Sequence, residues 1–380
     1  MIEARRTYKY RLYRHDNCRY LVNAIDIAGI IWNHALALSK RYYRLYGESL
    51  SLSHLMRHIA KLRRSSVRYS YWQKLGSQAV QDVIQRLEKA YKRFFVGQGG
   101  FPRFKKVKKY PSFTLKQAGW KLLDGNRIRI LGRVYKFVKS REIDGKIKTV
   151  TIKRDSLGRL WLCFSLVIDV VIPQATTGKI GGFDFGLKTF LTNDEGRELE
   201  SPQFFKQSQR KIAGLNRELS RKVKGSNNRK RAKYRLAKAH EDVANKRRDW
   251  FFKRAHELCD EYAVLCFEDL NIKGMQRLWG KKISDLAFGE FLTILQHVSS
   301  KRGCRVIKID RWEPTTQTCS ACGHRQKMDL RERTFVCESC GFALGRDHNA
   351  ARNIKRVVAS THNLGDVRRE AATANSRSPA

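Results

Sequence analysis

Four cysteines fall in a pattern that no other residues of the chain share. Cys319 and Cys322 are separated by two residues, as are Cys337 and Cys340, and fourteen residues lie between the pairs. A glycine, Gly323 or Gly341, directly follows each pair and supplies the permissive backbone that a tight metal-binding knuckle requires. Four thiolates make a closed tetrahedral site, so the spacing predicts one structural zinc ion in a zinc ribbon. The alternative is four reduced core cysteines. Cys18, Cys163, Cys259, Cys266 and Cys304 are scattered, and an odd, mostly unpatterned set of nine argues for a reducing, intracellular setting over a disulfide framework.

Three acids form a second constellation. Hydrolysing a phosphodiester through two magnesium ions needs carboxylate oxygens that converge from separate elements, because the ions sit roughly 3.5 to 4 Å apart and prefer hard ligands. Asp184 lies inside the apolar run around Gly181-Gly-Phe-Asp-Phe-Gly186, where an unpaired charge is costly to bury. Glu268 ends the run Ala263-Val-Leu-Cys-Phe267, and Asp347 precedes His348-Asn-Ala-Ala-Arg-Asn-Ile354. Each also has an ordinary reading: a turn aspartate, a loop-facing acid and a helix N-cap. Their order along the chain, strand acid, second strand acid, helix-start acid, is the one an RNase H type nuclease requires.

The elements that must position these residues follow from hydrophobic period. Residues 6–13 alternate as a strand, whereas 19–46 and 77–95 carry apolar side chains at helical spacing, making the front third a helical lobe. Segments 128–138, 147–154 and 160–171 read as strands of a small barrel or sheet that the N-terminal strand completes; the turn 155–158 joins the last two. After a linker at 173–178 comes a strand pair over 180–191, a helical pair broken at 225–228, a strand over 262–267, a helix over 287–303, a strand over 306–309 and a helix over 348–358. Strands alternating with helices imply a mixed α/β sheet. Residues 359–380 are small and polar and read as a disordered tail.

Charge narrows the partners. Lysine and arginine total 78 against 35 acids, a formal +43 that calls for a polyanion. Residues 206–254 alone hold 18 basic and 4 acidic side chains, and Arg103-Phe-Lys105 mixes cations with an aromatic ring as phosphate and base contacts do. A solvated surface loop explains the latter segment equally well. The longest apolar stretches, such as 25–32, fall short of the roughly 20 residues that span a bilayer, and the N-terminus lacks a signal-peptide core. A cytoplasmic protein with no membrane partner is expected.

Taken together, the sequence resembles the TnpB family, the transposon-encoded RNA-guided nucleases related to the smallest type V CRISPR effectors. The resemblance rests on Gly182-Phe-Asp-Phe-Gly-Leu-Lys-Thr-Phe190, Phe267-Glu-Asp-Leu270, the two Cys-x2-Cys-Gly knuckles and Arg346-Asp-His-Asn-Ala-Ala-Arg-Asn-Ile354, supported by Trp32-Asn33, Gly100-Phe-Pro-Arg-Phe-Lys105 and Asn245-Lys-Arg-Arg-Asp-Trp-Phe251. It implies an α/β multidomain protein with a RuvC nuclease domain of RNase H-like fold at 175–313 and 344–358, carrying a helical insertion at 205–256. A zinc ribbon at 314–343 interrupts that domain. A wedge β-barrel at 1–15 and 97–174 and a helical recognition lobe at 16–96 complete the implied organisation. The family pattern, acid-x-leucine, picks Glu268 over Asp269. Asp184, Glu268 and Asp347 are thereby implied as catalytic magnesium ligands for two ions, and Cys319, Cys322, Cys337 and Cys340 as ligands of one zinc. A guide RNA from the transposon end and target double-stranded DNA are the implied partners of a monomer or weak dimer. Nucleic-acid contacts are expected at Arg103, Lys105, Lys246, Arg247 and Arg248, with Gln81 and Thr114 near the positions that contact a short flanking motif. Two other readings share the basic helices and the ribbon: a non-catalytic nucleic-acid-binding regulator, which has no use for three metal-binding acids, and a guide-independent transposase or resolvase.

Overall fold

In the computed structural model the described residues are 2–329 and 332–361, apart from 172, 174 and 176. They divide into two compact units, Met1–Val170 and Val171–Ala380. The expected linker, 173–178, lies just after this division, with its residues 174 and 176 outside the described residues. The part of the expected tail beyond 361 also lies outside them.

The first unit opens with β1 (Ile2–Arg11), followed by α1 (Cys18–Tyr46), α2 (Leu52–Ser65) and α3 (Ser77–Phe95). Strands β2 (Ser112–Leu115), β3 (Trp120–Leu122), β4 (Arg127–Ile130), β5 (Arg133–Lys136), β6 (Lys146–Arg154) and β7 (Leu160–Val170) complete it. An antiparallel sheet runs β1-β7-β6-β2, so the N-terminal strand does complete the sheet, pairing along its whole length from Ile2 with Val170 to Arg11 with Trp161. A second sheet, β3-β4-β5, meets the first through a Leu12–Phe137 bridge. The single strand expected over 128–138 is instead the β4–β5 hairpin, because Leu131 and Gly132 both take positive φ, as a tight hairpin turn demands. Helices and strands share one core, in which Leu21, Ile25 and Val83 pack with Phe113, Ile152 and Phe164. The sequence boundaries near 15 and 96 therefore cut through one hydrophobic cluster. Helix α1 is long and apolar enough to cross a bilayer, but its apolar face is buried in this core.

The second unit is built on a five-stranded sheet. Its strands are β8 (Ile180–Asp184), β9 (Leu191–Asn193), β10 (Glu198–Leu199), β11 (Val264–Glu268) and β12 (Arg305–Ile309), in the order β10-β9-β8-β11-β12. The first three are antiparallel neighbours, and β11 is parallel to both β8 and β12. This 3-2-1-4-5 order is the RNase H-like arrangement. Helices α4 (Phe204–Ser220) and α5 (Asn227–Glu261) form the expected pair; α6 (Ile272–Leu286), kinked at Trp279, and α7 (Phe288–Arg302) connect β11 to β12. After β13 (Thr334–Val336) and β14 (Ala343–Gly345), α8 (Arg346–Thr361) ends the described chain, three residues later than the sequence period suggested.

Side chains alternate across a strand, and here the two faces meet different partners. Phe183, Leu265 and Phe267 pack with Phe251, Phe288 and Phe291 of α5 and α7, whereas Ile180, Val264 and Cys266 pack with Ile354 and Val358 of α8. By the same period of two, Asp184 and Glu268 belong to the α8 face.

Candidate active site

Both acids stand at the carboxyl ends of adjacent parallel strands, where Phe183 and Phe267 are paired in register just before them. Ligands of α/β sheets characteristically bind at such ends. What brings the third acid is the packing of α8 onto β8. A side chain at Gly182 would lie 2.1 Å from the Ala351 carbonyl oxygen and 2.8 Å from Lys355 Cβ, so only glycine allows this approach. Asp347 precedes Ala351 by four residues and so shares its face of the helix. A Cβ at Gly186 would sit 3.3 Å from Asp347 Oδ2, which places this carboxylate beside the end of β8. Asp347 lies within the first turn of α8, after Arg346, so it does not occupy the N-cap position of its ordinary reading.

The electrostatics record the convergence. Asp184 is buried, with 9% exposure, and its carboxyl is pushed up to about 7 by burial and then by the charges of Asp347 and Glu268; the Arg346 guanidinium and the Phe185 amide oppose this. Burial pushes Glu268 to about 7 as well. Asp269 differs entirely: Lys308 and Arg311 donate to it at 3.1 and 2.8 Å and hold its carboxyl below the usual range. The neighbour that the family pattern rejects is thus the one already neutralised. A buried Asp184 facing the partly exposed Glu268 and Asp347 is unfavourable alone and suited to divalent cations, with Arg346, 3.3 Å from Asp347, as a cation beside them. Among the described residues, the only group of three or more His, Cys, Asp or Glu whose ligand atoms all lie within 4.8 Å of one another is the four cysteines. The acids therefore do not form a single tight cage; their hard oxygens and like charge suit divalent cations.

Sequence reasoning missed Asp194. It follows β9, is buried, accepts from the Gly182 amide at 3.0 Å and from Lys355 Nζ at 2.5 Å, and its carbonyl lies 3.1 Å from His348 Nε2. It thus ties β8 to α8, next to the Gly182 contact. One of two adjacent acids in a turn, Asn193-Asp-Glu-Gly196, it gave no distinguishing signal.

The ribbon closes as expected. Sulfurs of Cys319 and Cys340 are 3.8 Å apart and those of Cys322 and Cys337 3.6 Å, against about 3.8 Å for thiolates placed tetrahedrally around zinc. Gly323 and Gly341 both have positive φ and donate to the carbonyls of Cys319 and Cys337, making the two knuckles. Asn349 and Asn353, buried on α8, donate to the Thr318 carbonyl, and Asn353 donates also to that of Thr315. These bonds explain the asparagines of the Arg346–Ile354 motif: they fasten the ribbon to the helix that carries Asp347.

The expected nucleic-acid contacts divide. Trp32 Nε1 donates to the Arg103 carbonyl, and Asn33 pairs with the Lys105 backbone through two 2.8 Å bonds, leaving the Arg103 and Lys105 side chains exposed. Gln81 is exposed on α3. Thr114 Oγ1 instead accepts from Arg86 at 2.7 Å and bonds Thr151 at 2.9 Å, so its hydroxyl is already engaged. Lys246 and Arg248 face solvent, although Arg248 also reaches Glu290. Arg247 is engaged within the protein: its guanidinium binds Glu290 and the Ser284 carbonyl with only 18% of the side chain exposed, clamping α5 to the α6–α7 segment.

Comparison with known proteins identifies the lineage. Residues 163–278 match the family model OrfB_IS605, described as a probable transposase, and residues 288–354 match the Cas12f1-like TNB domain, which extends the ribbon region into α7 and α8. A Streptomyces pristinaespiralis protein, provisionally named an RNA-guided DNA endonuclease, is 27% identical over 96% of this chain and 92% of its own length. InsQ of Escherichia coli strain K12, provisionally given the same function, is 31% identical over 73% of each chain. The structure of a Cas12f1–sgRNA–target DNA complex shares the fold, with a TM-score of 0.54 at 13% identity, over 93% of this chain and 99% of that one. The fold order, the acid-bearing strands, the ribbon and these relatives agree, and the chain belongs to the TnpB family.

Proposed function

We propose that this chain is an RNA-guided double-stranded DNA endonuclease of a bacterial insertion sequence, cutting next to a short flanking motif with Asp184, Glu268 and Asp347 as the ligands of two magnesium ions. The observation that carries this reading is the meeting of three acids at the carboxyl end of an RNase H-like sheet, with Asp184 and Glu268 both raised to about 7. Divalent ions there supply Lewis acidity for water attack and for departure of the 3′ oxygen. The chain's own residues orient the site: Gly182 lets α8 approach, Asp194 and Lys355 fasten it, and Asn349 and Asn353 hold the ribbon beside it. Lys246, Arg248, Arg103 and Lys105 offer cations to the phosphates of RNA and of the paired target, consistent with a +43 chain that leaves sequence reading to base pairing. Gln81, exposed on α3, is the side chain we assign to the flanking motif, with Thr114 as its neighbour on β2.

The test is to purify the chain together with RNA from its native locus, sequence that RNA, and offer a plasmid library carrying the matching target beside randomised flanks. The expected result is a discrete RNA and magnesium-dependent double-strand cutting confined to matched targets with one flank. Cutting that ignores the RNA would establish the guide-free transposase or resolvase reading, and RNA binding without any cutting would establish the regulator.

A further inference from the structure

We infer that Trp312 is a stacking platform for an unpaired base of the DNA strand presented to the carboxylates. This rests on the proposed nuclease function and adds a contact that no acid or lysine supplies. Of the seven tryptophans, Trp312 is the most exposed, at 84%, an unusual position for a large apolar ring. Its place is defined from both sides. Ile309, at the end of β12, is in register with Glu268, so Trp312 follows by three residues, a reach of at most about 10 Å. Arg311, directly before it, is bound to Asp269 at 2.8 Å, beside Glu268.

The turn that carries the ring is anchored. Asp310 accepts from the Trp312 amide at 2.9 Å and its carbonyl accepts from the Glu313 amide at 3.2 Å, while Thr315 and Thr318 are held by Asn353 of α8. A turn held by these bonds therefore carries an unburied indole three residues beyond the strand end that pairs with Glu268, in the stretch between the sheet and the ribbon. A duplex has its base faces covered, whereas an unpaired strand offers them, and indole stacking on a base is tolerant of sequence. The neighbouring cations Lys308 and Arg311 share the Asp269 carboxylate between them, whereas the indole ring stands exposed.

The experiment uses the full chain in buffer without magnesium, so that no strand is cut, and a short single-stranded DNA carrying the fluorescent base 2-aminopurine. Stacking on indole quenches this base. We expect wild type to quench it and Trp312→Ala to lose most of the quenching, with about tenfold weaker saturation of the signal, while Trp312→Phe keeps an intermediate response. Unfolding midpoints of all three should coincide, because the ring buries nothing. Equal quenching by wild type and Trp312→Ala, a lowered midpoint in Trp312→Ala, or a Trp312-dependent response to RNA but not to DNA would each overturn the inference. Quenching that depends on Trp312 in a chain that never cuts DNA would sink the nuclease reading alone. Normal guided cleavage by a Trp312→Ala chain that quenches like wild type would sink the stacking alone.

Discussion

Replacing Asp184 by asparagine should abolish cutting and at the same time stabilise the magnesium-free protein. The side chain is buried against two other carboxylates, and its carboxyl is displaced from 3.8 to about 7. At about 1.4 kcal/mol for each tenfold change in acidity, ionisation in the folded state is disfavoured by about 4 kcal/mol, of which relaxation and water entry leave about 2 to 4. Below pH 3.8 the group is neutral whether folded or unfolded and the penalty is absent. Between 3.8 and about 7 the unfolded chain ionises while the folded one does not, so the penalty grows, and above 7 it is constant. Asp184→Asn keeps the shape and removes the charge. Urea unfolding of the magnesium-free proteins should show the variant more stable by about 2 to 4 kcal/mol at pH 8, with less than half that gain at pH 5. Added magnesium should stabilise wild type and not the variant, closing the gap. A variant no more stable than wild type at pH 8, or a gain that ignores pH, would refute the picture of a buried acid cluster awaiting cations.

Further outcomes follow from the same geometry. Gly182→Ala, with a Cβ 2.1 Å from the Ala351 carbonyl, should lower stability by about 2 kcal/mol or more and cut activity strongly although all three acids remain, as unfolding and cleavage assays would show. Because Asp184 and Glu268 must both lose protons to bind cations, calorimetric magnesium affinity should rise steeply from pH 6 to pH 8 and level off above it. Cys337→Ser should release zinc, measured by elemental analysis, and weaken the α8 attachment that Asn349 and Asn353 make to the ribbon. Lys246→Ala should reduce nucleic-acid affinity and its salt dependence without changing stability, whereas Arg247→Ala should lower the unfolding midpoint, since it strips Glu290 of a half-buried partner.

Long periodic elements and regularly spaced ligands were legible in the sequence, and single contacts were not. Helix α3 spans Ser77–Phe95 as its apolar spacing indicates, and the four cysteines meet because their spacing is dictated by the metal they suit. The β4–β5 turn at Leu131-Gly132 escaped because leucine seldom takes positive φ, and neither Asn-Gly nor Asp-Gly marks it. Helices α2 and α6 escaped because cations crowd the first and two glycines interrupt the second. The choice between Glu268 and Asp269 depends on strand parity, yet Val264, Leu265, Cys266 and Phe267 are all buried, so both faces are apolar and alternation alone could not decide it. Lys246 and Arg247 are adjacent cations of one basic run; only the position of Glu290 on α7 separates the clamp from its exposed neighbour.

The most direct measurement is anomalous diffraction from crystals of the protein soaked with manganese in place of magnesium. Two peaks bounded by the carboxylates of Asp184, Glu268 and Asp347, both absent from Asp184→Asn crystals, are the predicted result. Manganese bound elsewhere, or bound at this place with Asp269 in the role given to Glu268, would contradict the account.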